Sequence, residues 1–314
     1  MIKWQKNSLL LIAACFALMS NSVWADREIE KNFEVEQGGM LELDTDMGSI
    51  EVETHQSNSI KVSIEIEGLD EDEFYVTFDE TSNGLSIEGN KKDSNWGSWG
   101  SRRVRFDITV PKHYNLNLHT SGGSIRVDDL VGNAEVDTSG GSLSFGNIEG
   151  EIDGRTSGGS IRVEGAKGNV KVRTSGGSLS IGDIAGDIHG RTSGGSIRLG
   201  VVSGTADVAT SGGSIRIEEV GGQVEAKTSG GSVELTLSKQ PKGHSDISTS
   251  GGSITAFLAE GIAVDLYARG RKVYSDFEVN GETSAKYKLK GPINGGGPEL
   301  ELQTSAGNVY IKKK

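Results

Sequence analysis

Cysteine is almost missing: the 314-residue chain holds one, Cys15, inside its apolar opening stretch. If that stretch is removed, disulfides and thiolate chemistry go with it. No second run of about 20 apolar residues follows, so the sequence offers no further membrane span. Positive charge is in deficit. The formal net charge is −12, and without Lys3 and Lys6 the balance is 30 basic to 44 acidic residues, which argues against nucleic acid or an anionic membrane surface as partner. The five histidines, His55, His113, His119, His189 and His244, show none of the close pairing of zinc sites. The calcium nonapeptide Gly-Gly-x-Gly-x-Asp is absent, since Gly122-Gly123 is followed by Ser124-Ile125-Arg126. A serine nucleophile on a Gly-x-Ser-x-Gly elbow needs a strand running into a helix, and no helix is predicted. The sequence calls for no metal and no cofactor.

Proline is scarce too, at four residues against 46 glycines. That composition suits either a flexible low-complexity chain or a repeat with many positive-φ turns, and periodicity decides between them. Thr-Ser-Gly-Gly-Ser begins at Thr120, Thr138, Thr156, Thr174, Thr192, Thr210 and Thr228, each 18 residues after the last, and again at Thr249 after 21. A strict register of this kind is a stack of coils and not a linker. Within each copy apolar residues alternate, as in Ile125 and Val127, Leu143 and Phe145, or Ile161 and Val163, which predicts short strands with one buried face. Gly132, Gly150, Gly168, Gly186, Gly204 and Gly222 recur midway, where a second corner is needed. A coil this small cannot bury its own apolar stripe, but stacked coils can, with strands about 4.8 Å apart and about 35 Å of regular rod. The motif threonines and serines then form ladders along the axis, and the Gly-Gly pair turns the corner without a Cβ clash. The column Val136, Gly154, Val172, Gly190, Val208, Ala226 alternates large and small, with Phe145 placed to fill the space at Gly154.

The opening residues Met1-Ile2-Lys3-Trp4-Gln5-Lys6, an apolar run from Leu9 to Met19, and Val23-Trp24-Ala25 before Asp26-Arg27-Glu28 predict a secretory signal over residues 1–25, cut after Ala25. Ile12-Ala13-Ala14-Cys15 also satisfies a lipobox, but Phe16-Ala17-Leu18-Met19 stays apolar beyond the cysteine, so lipidation is the weaker reading. A periplasmic or extracellular product is expected. Residues 26–119 are read as an N-terminal β cap with first coils, 120–254 as the regular solenoid and 255–314 as C-terminal coils and cap, all one continuous domain. Thr45-Asp46-Met47-Gly48-Ser49-Ile50 is a worn copy of the motif. The stretch Lys239-Gln240-Pro241-Lys242-Gly243-His244, which holds the three-residue insertion, is expected to protrude.

Val110-Pro111-Lys112-His113-Tyr114-Asn115-Leu116-Asn117-Leu118 leading into the first full motif, with Gly295-Gly296-Gly297-Pro298-Glu299-Leu300 before the last worn one, resembles the DUF4097 family of adhesin candidates. That resemblance implies an all-β, single-stranded β-solenoid, a right-handed β-helix of the pectate-lyase-like kind, and an adhesin-like label inferred largely from shape. The coils here are shorter than those of the carbohydrate lyases and hydrolases sharing that architecture, so no active-site layout is carried over.

Candidate chemistry is sparse. Asp128-Asp129, Glu149 with Asp153, Asp183 with Asp187, and Glu218-Glu219 supply the paired carboxylates that glycoside cleavage needs. They recur at corners, where solvated charge keeps a rod soluble. His189-Gly190-Arg191 is similar to a polygalacturonase signature whose other segments are not recognisable here. A surface is the better candidate. The residue after the first apolar one of each strand is Arg126, Ser144, Arg162, Ser180, Arg198, Arg216 and Glu234, so Arg126, Arg162, Arg198 and Arg216 line one outer face about 5 to 10 Å apart, a spacing that can meet carboxylates or phosphates of an anionic glycan. Flanking Asp128, Glu164 and Glu218 are placed to offset them. Trp96 and Trp99, in a polar glycine-rich loop, either stack on sugar rings or tuck onto the cap. The expectation is an exported, non-enzymatic binding or structural protein of the cell envelope, its partner an envelope polysaccharide or protein. The alternatives are a β-helix polysaccharide lyase or hydrolase, and an assembly factor acting through its ends.

Overall fold

The computed structural model describes residues 26–92, 102–280 and 286–314. Residues 1–25, read from the sequence as a secretory signal and containing Cys15, and the tryptophans Trp96 and Trp99 lie outside the described residues.

Each regular coil contributes two strands. One ends on the motif threonine, as in Ile152–Thr156 and Val170–Thr174; the next starts after the motif's last serine, as in Ile161–Ala166 and Leu179–Ile184. The motif is therefore the corner between two sheets. Register is set by the repeat length: Ile161 lies opposite Leu179, and Ile152 opposite Val170, both in parallel pairing. Repeated coil after coil, this gives a 15-stranded and a 14-stranded sheet among the described residues, a β-solenoid as the 18-residue period predicts. We call the sheet holding Ile161–Ala166 the first and the sheet holding Ile152–Thr156 the second.

The motif threonines are buried polar residues, and each is satisfied twice. The Thr174 hydroxyl donates to the Gly159 carbonyl of the preceding coil at 2.7 Å and accepts from Gly177 N–H of its own corner at 3.2 Å. Thr156, Thr192, Thr210 and Thr228 repeat the donation at the same 2.7 Å. Outside this staple runs the serine ladder. Ser160 N–H donates to Ser142 Oγ at 3.2 Å, and Ser178 N–H to Ser160 Oγ at 3.1 Å. Asparagine and aspartate do the same work elsewhere on the coil, with Glu151 N–H on Asn133 Oδ1 and Asp187 N–H on Asn169 Oδ1.

The glycines serve a different purpose from the one composition suggests. None of the motif glycines has φ in the left-handed region. The second of each pair lies so close beneath the preceding coil that a Cβ on Gly177 would overlap the Gly159 carbonyl, whereas one on Gly122 meets nothing within 4 Å. Close approach of backbones, not positive φ, demands glycine here.

Between the sheets lie unbroken columns of fully buried side chains, for example Leu143, Ile161, Leu179 and Ile197. The large-small alternation is real: a Cβ on Gly154 would sit 3.3 Å from the Phe145 ring, so the ring fills the space the glycine leaves.

Both ends are interlocked. Strand Met40–Thr45, which ends on the threonine of the worn motif, pairs in parallel with Asn115–Thr120 and with Gly84–Lys91. An early segment of chain is thus inserted between later ones, and the Thr120 hydroxyl donates to Gly48 C=O at 2.9 Å as if the motif ran on without a break. At the other end Glu299–Thr304 is slotted between Ser245–Thr249 and Val264–Arg269, and the Thr304 hydroxyl bonds Gly252 C=O at 2.7 Å. Antiparallel pairs finish three of the four sheet edges, Arg27–Glu34 with Ser59–Glu67, Phe74–Thr81 with Gly84–Lys91, and Val264–Arg269 with Lys288–Ile293, while Val273–Ser275 closes the first sheet in parallel with Val309–Lys313. The insertion at residues 239–244 does not protrude freely. Gln240 accepts from Ala263 N–H at 2.9 Å and donates to Ala263 C=O at 2.6 Å, folding that segment back on the chain.

Two substitutions separate these roles. Gly177→Ala is expected to lower the stability by more than about 3 kcal/mol, because two backbones must move apart, while Gly122→Ala leaves it unchanged or slightly raised. Thr174→Val keeps the shape but strands a buried carbonyl and an N–H, and is expected to cost about 2 to 4 kcal/mol. Urea unfolding midpoints of the three variants check both.

Candidate functional site

Strict stacking turns every outward position into a column. On the first sheet Arg126 faces Ser144, Ser144 faces Arg162, Arg162 faces Ser180, Ser180 faces Arg198, and Arg198 faces Arg216. All four arginines are exposed and lie on one face, as their spacing predicts. The column continues into Glu51 and Asp107 on one side and into Glu234, Thr255, Tyr310 and Tyr274 on the other.

The column's ends differ from its middle. Arg126 Nε stands 3.8 Å from Glu51, which also holds Arg105 at 3.0 Å, and Arg216 pairs with Glu234 at 3.2 Å. Arg162 and Arg198 have no carboxylate within ion-pair distance among the described residues, so flanking Glu164 does not neutralise Arg162 by direct contact. Beyond the acidic end a groove of about 650 Å³ is lined by Lys31, Lys61, Glu51, Arg105 and Asp107. At the far end the Tyr274 and Tyr310 rings stack 5.1 Å apart, with Tyr274 47% exposed.

Several of the carboxylates singled out as possible acid and base have other work. Asp129 Oδ1 accepts Asn147 N–H at 2.7 Å, Asp183 Oδ1 accepts Val201 N–H at 2.9 Å, and Asp187 Oδ1 accepts Thr205 N–H at 2.7 Å. These aspartates are coil-to-coil acceptors and not simply solvated charge. Hydrogen bonding from the Asn147 backbone N–H holds Asp129 below the ordinary aspartate value, and the Lys167 ammonium, 2.6 Å from Glu149, does the same for that glutamate. Both move away from the protonated state that a glycosidic general acid requires.

The outer face of the second sheet carries a feature not read from the sequence. Arg155 faces Arg173 and Arg173 faces Arg191, so three arginines occupy consecutive rungs. Reading the residue before each motif threonine at the 18-residue period would have found them: Asp137, Arg155, Arg173, Arg191, Ala209, Lys227. Beside this column run Asp153, Lys171, His189 and Asp207. Asp207 takes Arg191 at 2.6 and 2.7 Å and His189 at 2.9 Å, so His189 and Arg191 of the His-Gly-Arg string are tied to one carboxylate.

The family model described as Toastrack DUF4097 matches residues 40–312, and the chain belongs to that family. No curated protein matches the sequence. Solved structures that resemble it include a candidate cell adhesion protein from Clostridium sporogenes ATCC 15579, at 14% identity over 92% of this chain and 100% of that one, with a TM-score of 0.24. A candidate adhesin from Bacteroides fragilis NCTC 9343 is 11% identical over 92% of this chain and 97% of that one, with a TM-score of 0.28. Another, from Parabacteroides distasonis ATCC 8503, is 12% identical over 73% and 97%, with a TM-score of 0.31.

Carboxyl-detected NMR titration is expected to place the Asp129 and Glu149 midpoints below the ordinary values of 3.8 and 4.5. A depressed carboxylate contributes stability that is complete above its unfolded-state value and lost as the pH falls through the folded one. Acid unfolding of Asp129→Asn should accordingly show a weaker dependence on pH below about 4 than that of the parent protein.

Proposed function

We propose that this Toastrack-family chain is an exported, adhesin-like β-solenoid of the cell envelope that binds an anionic envelope polysaccharide along the outer face of its first sheet and catalyses no reaction. The observation carrying this reading is the middle of the arginine column. Arg162 and Arg198 are exposed, two rungs apart, and without a carboxylate within ion-pair distance among the described residues, while Arg126 and Arg216 on either side are paired with Glu51 and Glu234. An exposed ion pair contributes little to stability, so pairing the ends has little energetic weight. An unpaired guanidinium keeps its planar fork of donors for a carboxylate or phosphate. The strands hold the two forks about 10 Å apart on a rigid scaffold, so little conformational freedom is lost when a regularly charged polymer lies across them. The signal-like opening stretch, residues 1–25, supports export, with the periplasm as the place of action. Trp96 and Trp99 are proposed as residues that stack on sugar rings.

Titration with acidic and neutral envelope glycans tests this. Arg162→Glu combined with Arg198→Glu is expected to weaken binding of the acidic glycan by tenfold or more, and raising the salt should weaken the parent protein in the same direction. Reversing the charge of Arg126, Arg162, Arg198 and Arg216 together without any loss of binding would refute the reading. Depolymerisation of a uronic-acid polymer, abolished by replacing one corner carboxylate, would establish an enzyme instead.

A further inference from the structure

The triple arginine column on the second sheet poses an electrostatic problem that the chain solves only in part. Neighbouring strands lie about 4.8 Å apart, and like charges placed directly opposite each other are destabilising. Two of the three are compensated. Arg155 donates to Asp153 at 2.7 Å; Arg191 makes two bonds to the Asp207 carboxylate and a third to its carbonyl at 2.9 Å. Both acids are already engaged elsewhere: Asp153 Oδ2 also holds Lys171 at 2.9 Å, and Asp207 also holds His189, while Asp153 Oδ1 is buried and accepts no hydrogen bond among the described residues. Arg173, in the middle, is exposed and has neither a carboxylate nor any other hydrogen-bond acceptor among the described residues. Its whole donor fork is available.

The space beside it is shaped by the motif corner. A groove of about 400 Å³ runs along Arg173 and Arg191 and is bordered by the exposed serines Ser175, Ser193 and Ser211. The threonine hydroxyls of the same corners are spent on glycine carbonyls, so they offer a ligand nothing. The serine hydroxyls make no hydrogen bond among the described residues and repeat once per rung. A guanidinium fork next to a row of free hydroxyls suits an oxyanion carried on a polyhydroxylated body.

We propose that Arg173, assisted by Ser175 and Ser193, forms a second binding site, specific for the carboxylate of an acidic saccharide. This site lies on the opposite sheet from the Arg162 and Arg198 face and stands whether or not that face binds anything. On these rungs the cations Arg155, Lys171, Arg173 and Arg191 outnumber the carboxylates of Asp153 and Asp207, so the local potential favours anions against the negative net charge of the whole chain.

Isothermal titration of the purified protein with trigalacturonate, with its methyl ester and with tripolyphosphate tests the assignment. The free acid is expected to bind, and the ester, which has the same hydroxyls but no charge, to bind at least about tenfold more weakly. Arg173→Ala is expected to lose about tenfold, and Arg173→Lys to lose less, because a point charge replaces the fork. Neither should lower the melting midpoint, since Arg173 has no hydrogen bond or ion pair among the described residues to lose; a preserved midpoint also shows that the loss is not unfolding. Arg162→Ala with Arg198→Ala should leave this binding unchanged, which separates the two faces. Parent-like affinity of Arg173→Ala, equal binding of the ester, binding of tripolyphosphate alone, or no binding of trigalacturonate by the parent protein would each overturn the proposal.

Discussion

One hydroxyl per coil holds this structure in register. The motif threonine is buried between the sheets, where an unsatisfied polar atom costs about 1 to 3 kcal/mol, and it escapes that cost by bonding to two coils at once. The bond to its own glycine N–H shapes the corner. The bond to the preceding glycine carbonyl ties that corner to the one below. A residue added to or lost from one of the strands would carry the hydroxyl off that carbonyl, so the staple and the strand register enforce each other. The three-residue insertion before Thr249 is tolerated because the extra length falls at residues 239–244, away from the corner, and Thr249 still reaches Gly231 C=O at 2.7 Å.

A stack regulated in this way is also a display device. Each outward position is repeated every rung, so a chemical group that one coil presents weakly is presented many times at a fixed interval. The two arginine columns arise from this geometry, on opposite sheets and with different neighbours. In each, carboxylates neutralise some members and leave others with their donors unspent: Arg162 and Arg198 on one face, Arg173 on the other. In a chain of net charge −12, local positive sites of this kind are created by placement and not by composition.

Much of this was legible in the residues. Period 18, the period-two alternation and the recurring glycines led to the solenoid, its corners and its buried columns, and the filling of Gly154 by Phe145 followed from volumes alone. The first arginine column was visible because strand register equals repeat length. The second escaped notice although the same period displays it, one residue before each motif threonine. Three readings needed coordinates to be put right, the free protrusion of residues 239–244 among them. The second glycine of each motif answers to a carbonyl of the preceding coil and not to left-handed φ, and the corner aspartates Asp129, Asp183 and Asp187 bond the next coil instead of only facing water.

What the residues determined unaided is local and periodic: which positions turn, which alternate inward, and which recur at one place on successive coils. Sequence spacing is also spatial spacing wherever each coil rests on the one before it, so this part of the structure could be read directly. The order of strands at the two ends was decided only in three dimensions. Met40–Thr45 lies between strands that follow it in the chain, and Glu299–Thr304 between strands that precede it. Alternation reports that a strand has a buried face but carries no record of which neighbour covers its edges. The partner is chosen by which backbone edge is open and which core column needs continuing, and for the end coils that edge belongs to residues far away in the chain.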